Sequence, residues 1–349
     1  MPRHDPIFEI IIPNWNGKQL LAECLQSLRK QTSQEFSVTV VDNGSTDGSV
    51  QLLQEEYPEV NLVCFDQNRG FSVAVNAGIC QSSTDWIFLL NNDIEVAPTC
   101  IEELLKGIQA YPSYDSFALR MMSFNQRDVF DGAGDAVLRG GVGYRIGTME
   151  KGHGQYDNDR DVFGACGGAA LYSRKFFKTV GIFDEDFFAY LEDVDLNMRA
   201  VKAGLKCKYL ASATVYHIGS ASTGSKINPM TIRLSTKNNW NVLVKNYPAS
   251  LLFRLAPVIA IYQFMWFLFV CKKLMIAPYF QGLNAAVSQY KRMKPKRRDL
   301  AITQTITDND FARLLKESER EAVQSIMDRR SEEGKSNHLL NIYRKLFLR

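Results

Sequence analysis

LLNNDIEV, residues 89–96, closes an apolar run, Trp86-Ile87-Phe88-Leu89-Leu90, with three polar residues, Asn91, Asn92 and Asp93, before Ile94 restores it. A short apolar run ending in this way predicts a core strand with a polar tip. Working outward from it, the same unit recurs. FEIIIP (8–13), FSVTVVD (36–42), VNLVCF (60–65) and DWIFLL (85–90) read as strands, and KQLLAECLQSLRKQ (18–31), SVQLLQEEY (49–57) and SVAVNAGIC (72–80) read as helices between them. In the first helix Leu20, Leu21, Cys24, Leu25 and Leu28 share one face. Strand and helix in alternation predict βαβ units and a parallel sheet covered on both faces. Right-handed crossovers then place the functional loops at the C-terminal ends of the strands.

With 349 residues, 46% hydrophobic and 23% charged, the chain is expected to fold as about two domains with a sizeable core. A net charge of +3 gives no argument for nucleic acid, and none is expected as a partner. The seven cysteines, at 24, 64, 80, 100, 166, 207 and 271, lack CxxC or Cys/His spacing and read as reduced, buried thiols of a cytosolic protein. MPRHDPIFEIIIP places an acid and a proline where a secretory signal needs a long apolar region, so no export signal is expected.

The four strands end in PNWNG, DNGSTDGS, DQNRGFS and NNDIEV. Each end taken singly fits a turn, since Asn-Gly and Asp-Gly are turn formers and Ser45 or Ser49 can cap a helix. Four polar ends on one sheet edge point instead to a binding edge.

IIIPNWNG, VVDNGSTDGS, NRGFSVAVNAG and LLNNDIEV together resemble the family 2 glycosyltransferases of GT-A fold, especially the branch with the bacterial rhamnosyltransferases, over roughly residues 7–220. The resemblance implies a Rossmann-like α/β fold with a mixed, mainly parallel sheet, helices on both faces and a helical C-terminal region. The catalytic domain would cover 1–225, with a donor-binding half to about residue 100 and an acceptor-side half over 101–225, and an extension would cover 226–349. It implies that Asp42 holds the base or ribose of a nucleotide-diphosphate sugar, with Pro13, Asn14 and Asn16 in the same pocket. Asn68, Arg69 and Gly70, through Phe71, and then Asn76 would close over base and donor sugar. Arg69 either reaches a phosphate or points to solvent, and Asp47 either orders the loop or base or caps a helix.

The family's metal motif, Asp-x-Asp, falls on Asn91, Asn92 and Asp93, where only Asp93 keeps a carboxylate. Mg2+ and Mn2+ accept carboxylate oxygens and bridge phosphates while retaining waters, so one carboxylate plus the diphosphate suffices. The resemblance makes Asn91 a ligand through its amide oxygen or a water, and Asn92 a hydrogen-bond partner of the donor. His217, in ATVYHIGSAST, falls where the family supplies a His ligand, the alternative being a buried hydrogen bond. Ser220, Ser222, Thr223 and Ser225, beside Gly219 and Gly224, read as a lid over the diphosphate.

FGACGGAALYSRKFF (163–177) resembles the acceptor-facing segment, in which Gly167, Gly168 and Ala169 let the backbone approach a sugar. The same small residues also permit close helix packing. In GIFDEDFFAYLEDVDLNMRAVKAG (181–204), Glu192, Asp193 and Asp195 crowd a helix start, where acids are stabilising without any function. The resemblance identifies Glu192-Asp193 with the family's ED motif, Asp193 being the base that takes the acceptor's hydroxyl proton and Glu192 an acceptor contact. Asp195 and Arg199 have the i,i+4 spacing of a helical pair.

Beyond residue 226 helical patterns predominate. LAPVIAIYQFMWFLFVC (255–271) carries no formal charge, and as a helix it would span about 26 Å, short of a hydrocarbon core of about 30 Å. Gln263 and Pro257 favour a helix lying in the membrane interface or buried against the domain. The basic run YKRMKPKRR (290–298) adds the second signal of reversible attachment to an anionic leaflet, the alternative being a core helix and a solvated linker. DNDFARLLKESEREAVQSIMDRR predicts amphipathic helices that cover the domain or form a homodimer.

Other classes fit less well. A dinucleotide oxidoreductase needs GxGxxG after the first strand, where this chain has PNWNG, and GGVGYRIG (140–147) is distant from it. A nucleotidyltransferase needs a Gly-rich basic loop there. The expectation is an inverting, Mg2+- or Mn2+-assisted transferase at the inner face of the cell membrane, moving a sugar from dTDP-rhamnose to a saccharide or lipid-linked acceptor of a surface polysaccharide. A UDP-hexose donor, or an inactive nucleotide-sugar-binding protein of the same fold, is the alternative.

Overall fold

The computed structural model describes residues 6–219 and 227–349. Its first half alternates as the sequence predicts: β1 (Phe8–Asn14), α1 (Lys18–Arg29), β2 (Phe36–Asp42), α2 (Ser49–Glu56), β3 (Asn61–Cys64), α3 (Phe71–Gln81) and β4 (Trp86–Leu90). There follow β5 (Ile94–Val96), α4 (Cys100–Ala110), β6 (Ser116–Ser123), β7 (Phe130–Ala133), the hairpin β8 (Asp135–Leu138) and β9 (Val142–Arg145), β10 (Arg160–Val162) and β11 (Ala169–Ser173). Then come α5 (Arg174–Val180), a 3-10 turn Glu185–Phe187, α6 (Glu192–Lys202) and β12 (Cys207–His217). The chain continues as helices α7 (Pro229–Asn246), α8 (Ala249–Lys272), α9 (Ile276–Thr303), α10 (Asp308–Glu332) and α11 (His338–Phe347).

The main sheet runs β10-β12-β6-β11-β4-β1-β2-β3. Strands β3, β2, β1 and β4 are mutually parallel, as are β6 and β12, and β11 enters antiparallel between β4 and β6. Side-chain alternation explains why these strands are apolar throughout. Ile10 and Ile12 face one core with Phe88, Leu90 and α1, while Ile11 faces the other with Leu89 and α3. The chain leaves β1 toward β2 and β3, then returns to β4 on the other flank of β1. That reversal opens a crevice beyond the C-terminal ends of β1 and β4, where ligands of open α/β sheets bind.

The C-terminal helices share a core with the α/β body. Val242, Leu243, Tyr247, Leu251 and Phe311 pack with Val137, Phe187, Val194 and Met198. The α10 helix covers the β8–β9 hairpin, whose Val137 and Gly147 amides donate to Ser318 and Ser325 and whose Arg139 forms a buried ion pair with Glu319. Two expectations need correcting. Cys64, on the edge strand β3, and Cys80, near the end of α3, are exposed and Cys271 is half-buried, so only the other four cysteines are buried thiols. The basic run of α9 is only partly solvated: Lys296 reaches Asp184 and Asp186, Arg292 pairs with Asp186, and Arg297 donates to the Val244 carbonyl.

Candidate active site

At the switch point one chain of hydrogen bonds ties three strand ends together. Asn92 Nδ2 donates to Asn14 Oδ1 (2.7 Å), Asn14 Nδ2 donates to Asp42 Oδ2 (3.0 Å), and Asp42 Oδ1 accepts from the Ser45 amide (2.9 Å). Asn14, Asp42 and Asn92 are all buried, at 1%, 1% and 5% exposure. These groups brace one another beneath the crevice, at the strand ends where the donor is expected. Gly17 is required beside them, since a Cβ there would stand 2.3 Å from Asn92 Nδ2. Pro13 is half-buried, while Trp15 and Asn16 are exposed, and Asn16 Oδ1 accepts from the Thr46 amide. Asp47 accepts from the amides of Lys18 and Ser49, so it caps helix starts.

Asn68 accepts from Asn43 and from the Gly70 amide, closing the turn before α3. Gly70 has φ +92° and lies against Phe188, leaving no room for a side chain. The Arg69 guanidinium is exposed, 5.1 Å from the centre of the Phe65 ring. Asn76 does not reach the donor side: its amide exchanges hydrogen bonds with the backbone of Phe183 and fastens the segment that leads to α6.

On the acceptor side, the Gly167–Gly168 turn joins the two halves. The Asn91 amide donates to the Gly168 carbonyl (2.8 Å), and the Gly167 amide donates to Asp193 Oδ2 (3.2 Å). A Cβ on Gly168 would sit 3.2 Å from Asn91 Nδ2, a tight approach, whereas one on Gly167 would meet Asp193 at ordinary contact distance. Asp193 is half-buried at the start of α6, and Glu192 beside it is buried, with Oε2 unpartnered. Burial, with Asp193 adding repulsion, pushes the Glu192 carboxyl up to about 8. Asp195 pairs with Arg199 as the spacing predicts, and Lys245 from α7 also reaches it.

Sequence reading missed what holds this loop. Phe188, Tyr190 and Leu191, just before the two acids, all have positive φ, at 68°, 70° and 64°. Non-glycine residues persist in that region only where their surroundings over-determine them. Here Asn238 Nδ2 donates to the carbonyls of Phe187, Ala189 and Tyr190, and Lys237 Nζ donates to that of Asp186 (2.7 Å). Lys245 Nζ bridges Asp184 (2.7 Å) and Asp195 (2.8 Å). Burial would raise the Asp184 carboxyl, but Lys245 and Lys296 hold it well below the usual carboxylate range. A cavity of about 470 Å3 lies between this loop and the donor edge, lined by Trp15, Asn68, Phe188, Met230, Arg233 and Lys237.

His217 Nε2 lies 3.4 Å from Asp93 Oδ2, and its Nδ1 lies 2.7 Å from Asp131 Oδ2. Burial lowers the imidazole pKa, but the hydrogen bonds to Asp131 and Asp93 outweigh it and raise the value. Asp93 Oδ1 is buried without a partner. Both ring nitrogens thus face carboxylates; with Asp131 holding Nδ1–H, loss of the Nε2 proton would leave Nε2 and Asp93 as a donor pair that fits a hard divalent cation. Asn91 is half-buried at the same turn. Asp131, on β7, was not foreseen, and neither was Arg145, which pairs with Asp131 and donates to Cys166 Sγ (2.9 Å). Asp135, Cys166 and Asp193 have potential ligand atoms within 4.8 Å of one another. Cys166 is kept a thiol by burial, and Arg145 already supplies a positive charge there, so this group suits a hard cation less well than Asp93 and His217. The one sequence hint of Asp131 and Asp135 is a pair of acids inside the apolar, glycine-rich FDGAGDAV. The expected lid residues Ser220, Ser222, Thr223 and Ser225, with Gly224, lie outside the described residues.

A mainly parallel sheet whose switch-point crevice has an Asp/His pair at one end and a held carboxylate at the other is the arrangement expected of a glycosyltransferase of GT-A fold. The sequence model for Glycosyl transferase family 2 matches residues 9–181, and the chain belongs to that family, in its rhamnosyltransferase-like branch. It is 32% identical over 240 residues to an N-acetylglucosaminyl-diphospho-decaprenol L-rhamnosyltransferase of Mycobacterium tuberculosis, an alignment covering 62% of this chain and 78% of that protein. It is 28% identical to a PGL/p-HBAD biosynthesis glycosyltransferase of Mycobacterium bovis, covering 56% and 69% of the two chains. Among solved structures, a mannosyltransferase from Pyrobaculum calidifontis in complex with GDP-Man and Mn2+ shares the fold at a TM-score of 0.50 and 15% identity, covering 94% of this chain and 89% of that one.

Proposed function

We propose that the protein is an inverting transferase that moves a sugar, with L-rhamnose from dTDP-rhamnose as the first candidate, to a lipid-linked saccharide at the cytoplasmic face of the cell membrane. The observation that carries this reading is the Gly167–Gly168 turn, which bonds the metal-motif turn at Asn91 on one side and Asp193 on the other. The nucleotide-diphosphate end of the donor is thereby set facing the base.

Asp193, oriented by the Gly167 amide, takes the proton of the acceptor hydroxyl as that oxygen attacks C1 of the donor sugar. The C1–O bond to the nucleotide diphosphate breaks in the same displacement, which inverts the anomeric centre. Asp93 and His217, with Asn91, would hold Mg2+ or Mn2+, which supplies positive charge at the leaving diphosphate. Asp131 fixes the His217 ring, and Glu192, protonated up to about pH 8, donates to the acceptor without competing for its proton. The Trp15–Phe188 cavity receives the acceptor, its exposed Arg233 matching an anionic linker. The mycobacterial relative, named for a diphospho-decaprenol-linked sugar, supports that class of acceptor.

A panel of dTDP-rhamnose, UDP-galactose, UDP-glucose, UDP-N-acetylglucosamine and GDP-mannose, offered with a prenyl-diphosphate-linked N-acetylglucosamine and Mn2+ or Mg2+, tests the reading. Product from one donor, of inverted anomeric configuration and lost with chelator and with Asp193→Asn, supports it. Donor binding without transfer would favour the inactive alternative, and no binding of any donor would refute the assignment.

A further inference from the structure

The α8 helix is about 36 Å long, enough to cross a hydrocarbon core of about 30 Å, yet only 22% of its most apolar stretch is buried. Its two faces differ in kind. Toward α7, Gln263 donates to Asn239 (2.6 Å), Trp266 donates to Thr236 (2.9 Å), and Tyr262 packs on Gly140. On the opposite face Phe253, Ile261, Phe264, Met265 and Leu268 are exposed, Phe253 to 86%. Phe253, Pro257, Ile261, Phe264 and Leu268 fall at intervals of three and four, so they form one stripe.

The α9 helix repeats the pattern and extends it. Its inner face packs on α7 through Gly282, which touches Arg233 and Thr236, and on α8 through Tyr279 against Phe267. Its outer stripe runs Ile276, Phe280, Leu283, Val287, Tyr290 and then, on the same side, Lys291, Lys294 and Arg298, all exposed except the half-buried Leu283. The three cations of the run that turn inward, Arg292, Lys296 and Arg297, lie off this stripe. Between the helices, Leu274 stands 89% exposed beside the exposed Lys272 and Lys273.

We propose that the outer faces of α8 and α9 form an in-plane membrane anchor, the apolar stripe seated among the acyl chains of one leaflet and the lysines and Arg298 on anionic headgroups. The partner is an anionic lipid surface because the apolar stripe continues into a row of cations without an intervening acid, and a water-facing helix would have no use for the first half of it. The helices lie in the leaflet and do not cross it. An α8 surrounded by lipid would carry α7 with it, and α7 buries Lys237, Asn238, Asn239 and Asn241. The proposal names the surface and the lipid class for the membrane location of the proposed reaction and rests on that reading only for its purpose; the test below uses no sugar donor.

Full-length protein is sedimented with vesicles of phosphatidylcholine alone and of phosphatidylcholine with phosphatidylglycerol. Binding to the anionic vesicles, weakened by salt, is expected. Phe264→Asp with Leu268→Asp should cut it at least about 100-fold, since each change removes a large apolar group from the bilayer. Lys291→Ser with Lys294→Ser and Arg298→Ser should lower affinity for anionic vesicles about 100-fold, near fivefold for each charge, and change little on phosphatidylcholine. All five positions are exposed, so the variants keep wild-type circular dichroism. Absence of vesicle binding, or binding indifferent to both variants, overturns the proposal. So does a wild-type dimer that Phe264→Asp with Leu268→Asp splits without any lipid dependence, because a second copy would then be what covers the face.

Discussion

The donor edge and the acceptor loop meet at one crevice and are built by opposite means. The donor edge is made of strand tips, and its bracing bonds run between residues that the sheet already places side by side: Asn92 on Asn14, Asn14 on Asp42. The acceptor loop, Asp184 to Asp193, has no sheet to align it. It holds three consecutive-range residues at positive φ and depends on a distant helix, α7, for the hydrogen bonds that keep them there. One region gets its geometry from the backbone ladder, the other from buried side chains some fifty residues away in sequence. Substitutions should therefore separate into those that act on donor affinity and those that act on turnover.

The largest effect is expected at Asp193. Asp193→Asn removes the proposed base and keeps an acceptor for the Gly167 amide, so kcat should fall about 10²- to 10⁴-fold while donor affinity, measured by calorimetry, stays within about twofold. An equal loss in donor affinity would mean that Asp193 belongs to the donor edge. Lys245→Met comes next. It leaves Asp184 with Lys296 and the Asp186 amide and Asp195 with Arg199 and Asn246, and loss of one partner from a buried ionic group costs up to about 3 to 5 kcal/mol. A urea unfolding curve with unchanged slope and a lower midpoint would register this, and a midpoint within experimental scatter of wild type would show that the acids are satisfied without Lys245.

Asn238→Ala and Asn14→Ala form a matched pair, each deleting one buried amide. The first removes one donor from three carbonyls of the strained loop, of which that of Phe187 keeps the Ala189 amide and Lys237, and a destabilisation of about 1 to 3 kcal/mol with a fall in kcat and little change in donor KM is expected. The second leaves the Asn92 amide and one Asp42 oxygen short of a partner at the donor edge, so donor KM should rise about tenfold with kcat nearly kept. If both variants moved the same kinetic constant, the two regions would be one mechanical unit.

The same contrast explains what could be read from the sequence. The strands and helices of the first 90 residues were legible to within a residue or two because alternation and helical period are local signals, and the polar tips followed from strand ends. The roles of Asp42 and Asn92 were less legible, since sequence locates a polar residue at an edge but does not say whether it faces a ligand or a neighbour. Asp131 and Arg145 were not legible: His217 and Asp131 meet through the pairing of β6 with β7 and with β12, and Arg145 reaches them from the end of β9, which no spacing announces. The clamp by Lys237, Asn238 and Lys245 was hidden inside a helix whose polar residues look solvated until α9 and the 184–191 loop are packed on them.

The last test is the most discriminating, because it reads the Glu192–Asp193 pair without any substrate. The Glu192 carboxyl is raised from 4.5 to about 8 by burial, with Asp193 adding to it. Between those values the folded protein keeps a proton that the unfolded chain releases, so stability falls as pH rises. The contribution is fully present below about pH 4.5 and is lost as pH passes through 8, with a slope of at most about 1.4 kcal/mol per pH unit. Glu192→Gln is neutral in both states and lacks this slope, so its stability relative to wild type should grow steadily from pH 5 to pH 8. Parallel curves for the two proteins would mean that Glu192 is ionised in the fold, and then both acids of the pair would be candidates for the base.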